Sequence, residues 1–461
     1  MPKNKKATWL ERVLLLAPVV VWFSYLPNFH FGQAEGANLE FSLPMIYIVV
    51  LALVGLPHIW QNREKLFASR AVWLTEIFIL WNIFSIIGSE NPLRTVLTGG
   101  VWFVLWLDFL AILSFKNLSK IMPKLAKIFF ISSLAMAILV ILQVAYGAWF
   151  DWGLCRGCVA SGFGFVRPSV FAIEPQFFGS LLLAPILILL HKQFSKTASK
   201  FESWILWLDL LALYLTLSRG AIFALGVAIL VLIFANQKFS KIKIWRNLVV
   251  SVALVASAFL SGMIWHAIFT ELNPRVTDGF YDSIAKSVNQ MSLGKIELPK
   301  SVEKPVENSE SEVTETEKKA ENSENENQPK EAAFDGYVEK STDERTKLSN
   351  LAIRTWLRNP FTTVFGAGAG GAGMAIYKTT GETSSSAEIV QNEYLSILLE
   401  LGAIGLAVFA AIICGFIYST KDKKWKWAIL AAFLVQWIFF GGLPNALHIY
   451  LILAIIFADK N

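Results

Sequence analysis

The strongest constraint on this chain is a series of apolar runs of about 20 residues, the length that an α-helix needs to cross a bilayer. Residues 10–26 and 128–149 are two such runs. The 461 residues are 55% hydrophobic and 16% charged, whereas a soluble protein of this size needs more polar surface to cover its core. The pattern predicts an all-α, polytopic membrane protein of about 12 transmembrane helices.

The apolar runs also predict the order of segments along the chain. Spanning helices are expected at residues 9–27, 41–60, 71–88, 95–115, 128–149, 175–191, 203–217, 220–236, 247–265, 392–419, 427–440 and 447–458. The chain then consists of nine helices in residues 1–265, a long loop at 266–391 and three helices in 392–461. No small-residue cleavage site follows Leu10–Tyr25, so we interpret this run as the first span and not as a cleaved signal peptide.

Basic residues lie in alternate loops and predict the orientation. One set of loops is rich in lysine, as at Lys116, Lys120, Lys124 and Lys127. The short loops of the opposite set hold only Arg94, Arg156, Arg167 and Arg219. The positive-inside rule places both termini in the cytoplasm and the 266–391 loop outside, in a multi-pass protein of the cytoplasmic (inner) membrane. The net charge of +6 therefore reflects topology, and we expect no nucleic-acid partner.

The long loop contains an acidic insert, expected to be disordered, at about residues 300–345. Between Glu303 and Glu331 the chain has ten Glu residues and almost no apolar ones, so it cannot bury enough surface to fold. Apolar spacing in 345–376 predicts an amphipathic helix beyond the insert. Cys155 and Cys158, in another outward loop, form either a disulfide or two free thiols. Further ligands at metal-site spacing are lacking, so no metal is expected.

Two arginine-containing segments on the outward side are candidate sites. In the first, at residues 167–179, Arg167 offers a planar fork suited to phosphate, and Glu174 can accept a proton from a sugar hydroxyl or fix an arginine. An interfacial ion pair is the structural alternative. In the second, Arg219 stands between two spanning helices and next to Gly220, where free N–H groups at a helix start favour an anion. A snorkelling arginine that anchors the hairpin is the alternative there.

Two further segments lie close to helix ten. Arg354 and Arg358 precede a glycine-rich run at residues 366–373, which predicts either a phosphate cradle or a flexible hinge. Residues 391–394, Gln-Asn-Glu-Tyr, open helix ten with polar groups, and Glu400 lies within its apolar span, where acids are usually functional or paired. Arginines gathered on one side of a bundle suit a diphosphate, and the apolar bundle suits a lipid tail. We therefore hypothesise a lipid-linked diphosphate substrate, processed on the outer face.

The order of these segments resembles the O-antigen ligase and polymerase superfamily of bacterial membrane glycosyltransferases. The similarity rests on the 167–179 segment, on Ser218-Arg219-Gly220, and on an arginine and glycine-rich loop before Asn392-Glu393-Tyr394. It implies transfer of a glycan from an undecaprenyl diphosphate carrier at the outer face, without a cofactor. It also implies direct displacement at the anomeric carbon, with arginines that stabilise the charge growing on the leaving diphosphate.

The motifs and the resemblance together supply candidate roles for named residues. The catalytic candidates are Glu174, Arg219, Arg354 and Glu393. The candidates for substrate binding are Arg167, Arg358, Gln391, Asn392 and Tyr394. The expected partners are the lipid-linked glycan, membrane lipid, a glycan acceptor, and a chain-length regulator or other polysaccharide assembly proteins.

One departure from the family pattern bears on the reaction. Ligases usually carry a histidine immediately before the Asn of this motif, where this chain has Gln391, which cannot act as a base near neutral pH. This favours a polymerase of surface polysaccharide repeats, with an O-antigen ligase as the alternative. A transporter or flippase of lipid-linked sugars would show symmetric halves and mid-membrane charges. A non-catalytic scaffold that works through the acidic loop is the third alternative.

Overall fold

A computed structural model describes most of the chain. The described residues are 8–34, 37–146, 167–172, 174–235, 241–272, 280–292, 296, 298–299, 335–381, 390–421, 423, 425–441, 443 and 447–458. In this part of the chain, sixteen α-helices account for most residues, together with one two-stranded antiparallel sheet. The protein is therefore a predominantly helical membrane protein.

The helices are numbered in chain order. They are α1 (Trp9–Val20), α2 (Leu43–Phe67), α3 (Arg70–Phe84), α4 (Pro92–Ser114), α5 (Leu118–Tyr146), α6 (Pro175–Phe194), α7 (Lys200–Leu215), α8 (Arg219–Ala235), α9 (Lys241–Leu272), α10 (Phe280–Met291), α11 (Asp335–Trp356), α12 (Pro360–Phe365), α13 (Ala372–Thr380), α14 (Glu393–Ser419), α15 (Trp425–Gln436) and α16 (Leu447–Ala458). A 3-10 turn at Ser85–Gly88 extends α3.

Each predicted span has a helical counterpart. Among the described residues, seven helices are long and apolar enough to cross a membrane: α2, α3 with its 3-10 turn, α4, α5, α6, α9 and α14. Three apolar helices, α8, α15 and α16, are shorter than 18 residues. Large apolar side chains remain exposed on the outer helices, including Phe223 and Leu260, as a lipid-facing surface requires.

The helical architecture is interrupted in one place by a short sheet that the sequence analysis did not predict. Strands β1 (Asn28–Ala34) and β2 (Ala37–Ser42) pair antiparallel between α1 and α2, with Phe29 opposite Phe41 and an irregularity between His30 and Gly32. Aromatic residues favour strands, and this short segment has too few apolar residues in succession to extend either flanking helix. Accordingly α1 ends at Val20, well before the predicted end at residue 27.

Helix α6 is the central element of the bundle. Its residues from Phe177 to Leu187 are all buried, which agrees with an apolar composition around the whole helix. Pro175 at its first turn fits the helix start, where an N–H would have no intrahelical partner. The N-terminus of α6 thus holds residues 174–179 in a fixed position at one end of the bundle.

The segment predicted as a long loop contains four helices in its described part. Helix α9 extends into it as far as Leu272, and α10, α11, α12 and α13 follow. Helix α11 begins at Asp335, ten residues before the predicted end of the insert, and includes the first part of the segment expected to be an amphipathic helix. The acidic stretch itself, 303–331, lies outside the described residues, as do Cys155 and Cys158.

Candidate functional site

Four segments meet at one end of the bundle, which we call the mouth: residues 174–179 at the start of α6, the 216–220 turn between α7 and α8, residues 390–394 at the start of α14, and residues 437–441 after α15. Glycines permit the approach, since a Cβ at Gly179 would lie 3.0 Å from the Ser218 Cβ. A Cβ at Gly220 would lie 3.0 Å from the Phe439 ring. The Gln176 amide then donates to the Phe439 carbonyl (2.8 Å).

Arg167 and Arg219 belong to the same corner of the mouth. Arg167 donates from Nε to the Thr216 carbonyl (3.3 Å) and from Nη2 to the Leu217 carbonyl (3.4 Å). Leu217 has a positive φ of 49°, which tightens the turn, and Arg219 follows as the first residue of α8. Both arginines are half-buried, so the structure brings together two of the four predicted guanidinium groups.

Arg345, on α11, is a third arginine of the mouth. Its Nε donates to Gln391 Oε1 (2.8 Å), and its Nη2 donates to Gln176 Oε1 (2.9 Å). The guanidinium thus joins α11 to the starts of α6 and α14. Sequence reasoning missed this residue because it lies at the edge of the predicted disordered insert. A usable signal was present, since Arg345 precedes Leu348, Ala352 and Thr355 at helical spacing.

The polar residues that open α14 are held by backbone groups. Asn392 caps the helix, with Oδ1 accepting from the Leu395 N–H (3.1 Å) and Nδ2 donating to the Ile438 carbonyl (3.2 Å). The Tyr394 hydroxyl donates to the Leu434 carbonyl of α15 (2.7 Å). Asn392 and Tyr394 therefore fix the position of this helix start, which presents Gln391 to Arg345.

The two candidate bases have different surroundings. Glu393 is 2% exposed, and its Oε1 accepts a bond of 2.6 Å from the Tyr450 hydroxyl. A Cβ at Gly441 would overlap the Glu393 carboxylate, so the backbone packs directly on it. Glu174, at the N-cap position of α6, is exposed and makes no side-chain capping bond. Glu174 is thus the accessible carboxylate of the pair.

Arg354 and Arg358 have other surroundings. Arg354 is exposed on α11. Arg358 forms an ion pair with Glu90 and donates to Thr362 Oγ1 and Thr379 Oγ1 (3.2 Å each).

Lys378 completes an ion cluster with Arg358 around Glu90, approaching the second carboxylate oxygen at 3.1 Å. Partial burial raises the pKa of Glu90, but the hydrogen bonds and charges of the two cations outweigh this, and the net pKa lies below its ordinary value. The cluster ties the segment before α4 to α12 and α13.

The glycine-rich run is a packed structural element. Gly366, Gly368 and Gly370 all have positive φ. The seven N–H groups from Gly366 to Ala372 all have protein acceptors: the Thr362, Leu399, Glu400 and Gly368 carbonyls, Ser85 Oγ, and, for Gly370 and Ala372, the Glu400 carboxylate. A phosphate cradle would have to break these bonds. Such full pairing also contradicts the alternative prediction of a flexible hinge.

The partner of this run is a break in α14. Gly402 has a φ of 70°, outside the helical region, and a Cβ there would overlap the Val364 carbonyl. The break exposes carbonyls, which accept from Ala367 and Gly368 (2.9 Å each), while the Trp81 indole donates to the Leu401 carbonyl (2.8 Å). The intramembrane Glu400 predicted from the sequence is thus paired with backbone N–H groups.

Within the described residues, no group of three His, Cys, Asp or Glu side chains could hold a metal ion. His448 is 2% exposed and lies 2.9 Å from Ser180 Oγ through its Nε2. The polar side chains described above at the mouth carry guanidinium, amide and carboxylate groups.

Residues 204–410 match the family model described as O-antigen ligase. The matched segment includes Arg219, Arg345 and residues 391–394, whereas Arg167 and Glu174 precede it. No curated protein matches the chain significantly.

Proposed function

Because the chain belongs to the O-antigen ligase and polymerase superfamily, we propose that it moves a glycan from an undecaprenyl diphosphate carrier at the extracytoplasmic face of the inner membrane, and that it polymerises surface polysaccharide repeats. Ligase or polymerase chemistry is the activity that the family supports. The carrier, the face and the choice of polymerisation are our proposal.

The observation that carries the proposal is the set of three arginines at the mouth. Arg167 donates to a carbonyl of the α7–α8 turn, and Arg219 lies at the end of that turn. Arg345 donates to Gln176 and Gln391. Guanidinium groups bind phosphate oxygens in a planar, bidentate manner and keep their charge at every physiological pH. We assign diphosphate binding to these three, with Arg345 in the place that the sequence suggested for Arg354.

The proposed reaction is a displacement at the anomeric carbon of the carrier-linked glycan. An acceptor hydroxyl attacks this carbon and forms the new glycosidic bond, its proton passes to Glu174, and the bond to the diphosphate oxygen breaks. The electron pair stays on the departing diphosphate, whose charge the arginines stabilise more strongly in the transition state than in the ground state. Glu393 is a positioning residue in this scheme, because it is buried against Tyr450 and Gly441.

Polymerase and ligase differ in the acceptor. Gln391 accepts a hydrogen bond from Arg345, so the side chain at this position orients a guanidinium and does not need to remove a proton. The polymerase is proposed because this chain has Gln391 where the ligase pattern has a histidine; the hydrogen bond from Arg345 itself would serve either reaction. A ligase that uses a lipid A core or another surface acceptor remains the alternative.

Reconstituted vesicles test the proposal. Purified protein is supplied with an undecaprenyl diphosphate oligosaccharide, alone or with a lipid A core acceptor. A polymerase yields a ladder of repeats and free undecaprenyl diphosphate without the second acceptor, whereas a ligase yields single transfer only when it is present. Arg219→Ala should abolish turnover, and Arg63→Ala, an exposed residue on α2, should not. Failure to release diphosphate under either condition would refute a glycosyltransferase.

A further inference from the structure

A cleft within the bundle adjoins the mouth, because Trp437 belongs to both. It has a cavity volume of about 100 Å³ and lies between α3, α4, α14 and α16. Five aromatic side chains in its lining form a closed circle, in which neighbouring ring centroids are 4.7–6.0 Å apart. We call them the aromatic circle: Phe78, Trp102, Tyr450, Trp437 and Phe409. The Tyr450 hydroxyl bonds Glu393, so one edge of the circle adjoins the start of α14.

A carboxyl group lines the same cleft. Asp108 of α4 is 1% exposed, and neither of its oxygens has a hydrogen-bond partner among the described residues. The described lining contains no Lys, Arg or His. A buried carboxyl group without a partner is unfavourable in either protonation state, because the ionised form lacks a counter-charge and the neutral form lacks an acceptor for its O–H.

The aromatic circle and the Asp108 carboxyl group both favour a cationic ligand. Aromatic faces attract cations, most strongly in Trp, and the attraction grows when the site excludes water. A carboxylate supplies the full counter-charge that such a cation needs. Apart from Thr75, the rest of the lining is apolar. It includes an aliphatic wall with Ile412, Leu451 and Leu453, which suits a hydrocarbon chain.

The depth of Asp108 fits a ligand that comes from the bilayer. Asp108 precedes Ser114, the last residue of α4, by six positions, or about 9 Å along the helix axis. Large apolar side chains on the same helices remain exposed, among them Ile77 and Phe103. An amphiphile in the membrane thus meets an apolar surface on the way to the cleft.

We propose that this cleft binds an alkylammonium group, with the cation between Asp108 and the aromatic circle and its chain along the aliphatic wall. The ammonium belongs either to a membrane aminolipid or to a free amphiphilic amine. The site does not depend on the glycosyltransferase reaction proposed above.

Binding of radiolabelled dodecyltrimethylammonium tests this site in a neutral maltoside detergent. The wild-type protein should bind the probe saturably, whereas dodecanol, which has the same chain without the charge, should compete poorly. Asp108→Asn should weaken binding by roughly tenfold or more. Asp209→Asn is the matched control. Asp209 is also fully buried in the bundle, but it accepts a hydrogen bond from Ser133 Oγ (2.9 Å) and does not line the cleft. The affinity of the Asp209→Asn protein for the probe should therefore equal that of the wild type.

Two results would overturn the proposal: dodecanol binding as tightly as the ammonium, or Asp108→Asn binding as tightly as the wild type. The comparison of the two probes uses only wild-type protein, so it decides the question even where the variant does not fold. Phosphatidylglycerol nanodiscs with and without phosphatidylethanolamine then identify the source of the ammonium. Competition by phosphatidylethanolamine supports a lipid ligand, and its absence supports a free amine at the same site.

Discussion

Replacing Arg345 by Ala should lower glycan transfer far more than replacing Arg354 by Ala. The two residues lie on the same helix, but only Arg345 contacts the mouth, through Gln176 and Gln391. Arg354 is exposed. The pair is therefore a matched comparison of two arginines in one element, one in the proposed diphosphate site and one outside it.

The expected size follows from the contacts. The two hydrogen bonds of Arg345 contribute about 1 kcal/mol each to local stability, so the folded protein should survive their loss with a small decrease in Tm. A group that stabilises developing charge contributes about 3–4 kcal/mol to the transition state, or roughly 10²–10³-fold in rate. Arg345→Lys keeps the charge but loses the planar fork, so its rate should lie between those of Ala and the wild type.

The assay is release of undecaprenyl diphosphate in reconstituted vesicles, with kcat, KM and Tm recorded for each variant. We expect kcat to fall by roughly 10²–10³-fold in Arg345→Ala. In Arg354→Ala we expect kcat to change by no more than about twofold, as is usual for a surface substitution. The reasoning would be refuted if Arg354→Ala were the more damaging variant. Normal turnover by a stably folded Arg345→Ala protein would refute it equally.

Three further predictions concern other parts of the molecule. Glu174→Gln should reduce kcat by about 10²-fold without lowering Tm, as expected for a proton acceptor. Glu393→Gln should lower Tm, because the hydrogen bond that Glu393 accepts from Tyr450 is buried. The reverse pattern would make Glu393 the proton acceptor and Glu174 the positioning residue. Gly402→Ala should destabilise the protein by about 2 kcal/mol or more, since its φ is positive and a Cβ would meet backbone; Gly226→Ala, where nothing lies within 4 Å, is the control, and equal Tm values in the two would contradict the strain argument. Glu90→Gln should cost at most about 1 kcal/mol near neutral pH, because the pair is partly exposed. Since the pKa of Glu90 is lowered by folding, its contribution is present above the ordinary value of 4.5 and is lost as the pH falls through the folded value, so urea unfolding curves of variant and wild type should converge in acid.

Local sequence signals predicted the helices and part of the mouth. Apolar periodicity is a property of each segment alone, so the spans could be located to within several residues, as at α16, which matches its predicted bounds. Arg167 and Arg219 could also be recognised, because each lies next to an apolar run that limits where it can sit. The β1–β2 hairpin was missed because its strands are short and flanked by two strong helical patterns.

Contacts between distant segments could not be predicted in this way. The glycine-rich run resembled a phosphate loop, because glycines with positive φ serve both purposes. Its N–H groups are instead used by the Leu399 and Glu400 carbonyls at a break in α14, and only the folded structure shows that pairing. Arg358 was similarly assigned to a ligand, although Glu90, 268 positions earlier in the chain, is its partner.

At position 391, the hydrogen bond that the side chain makes matters more than whether the residue is glutamine or histidine. The side chain there must accept a hydrogen bond from Arg345, which an amide oxygen does at any pH. A histidine accepts such a bond only when it is neutral, and the adjacent guanidinium charge favours the neutral form. The geometry is therefore compatible with either residue, and the histidine of the ligase pattern would orient the same arginine. If so, the difference between ligase and polymerase lies in the acceptor that reaches Glu174, and not in the diphosphate site that the two reactions share.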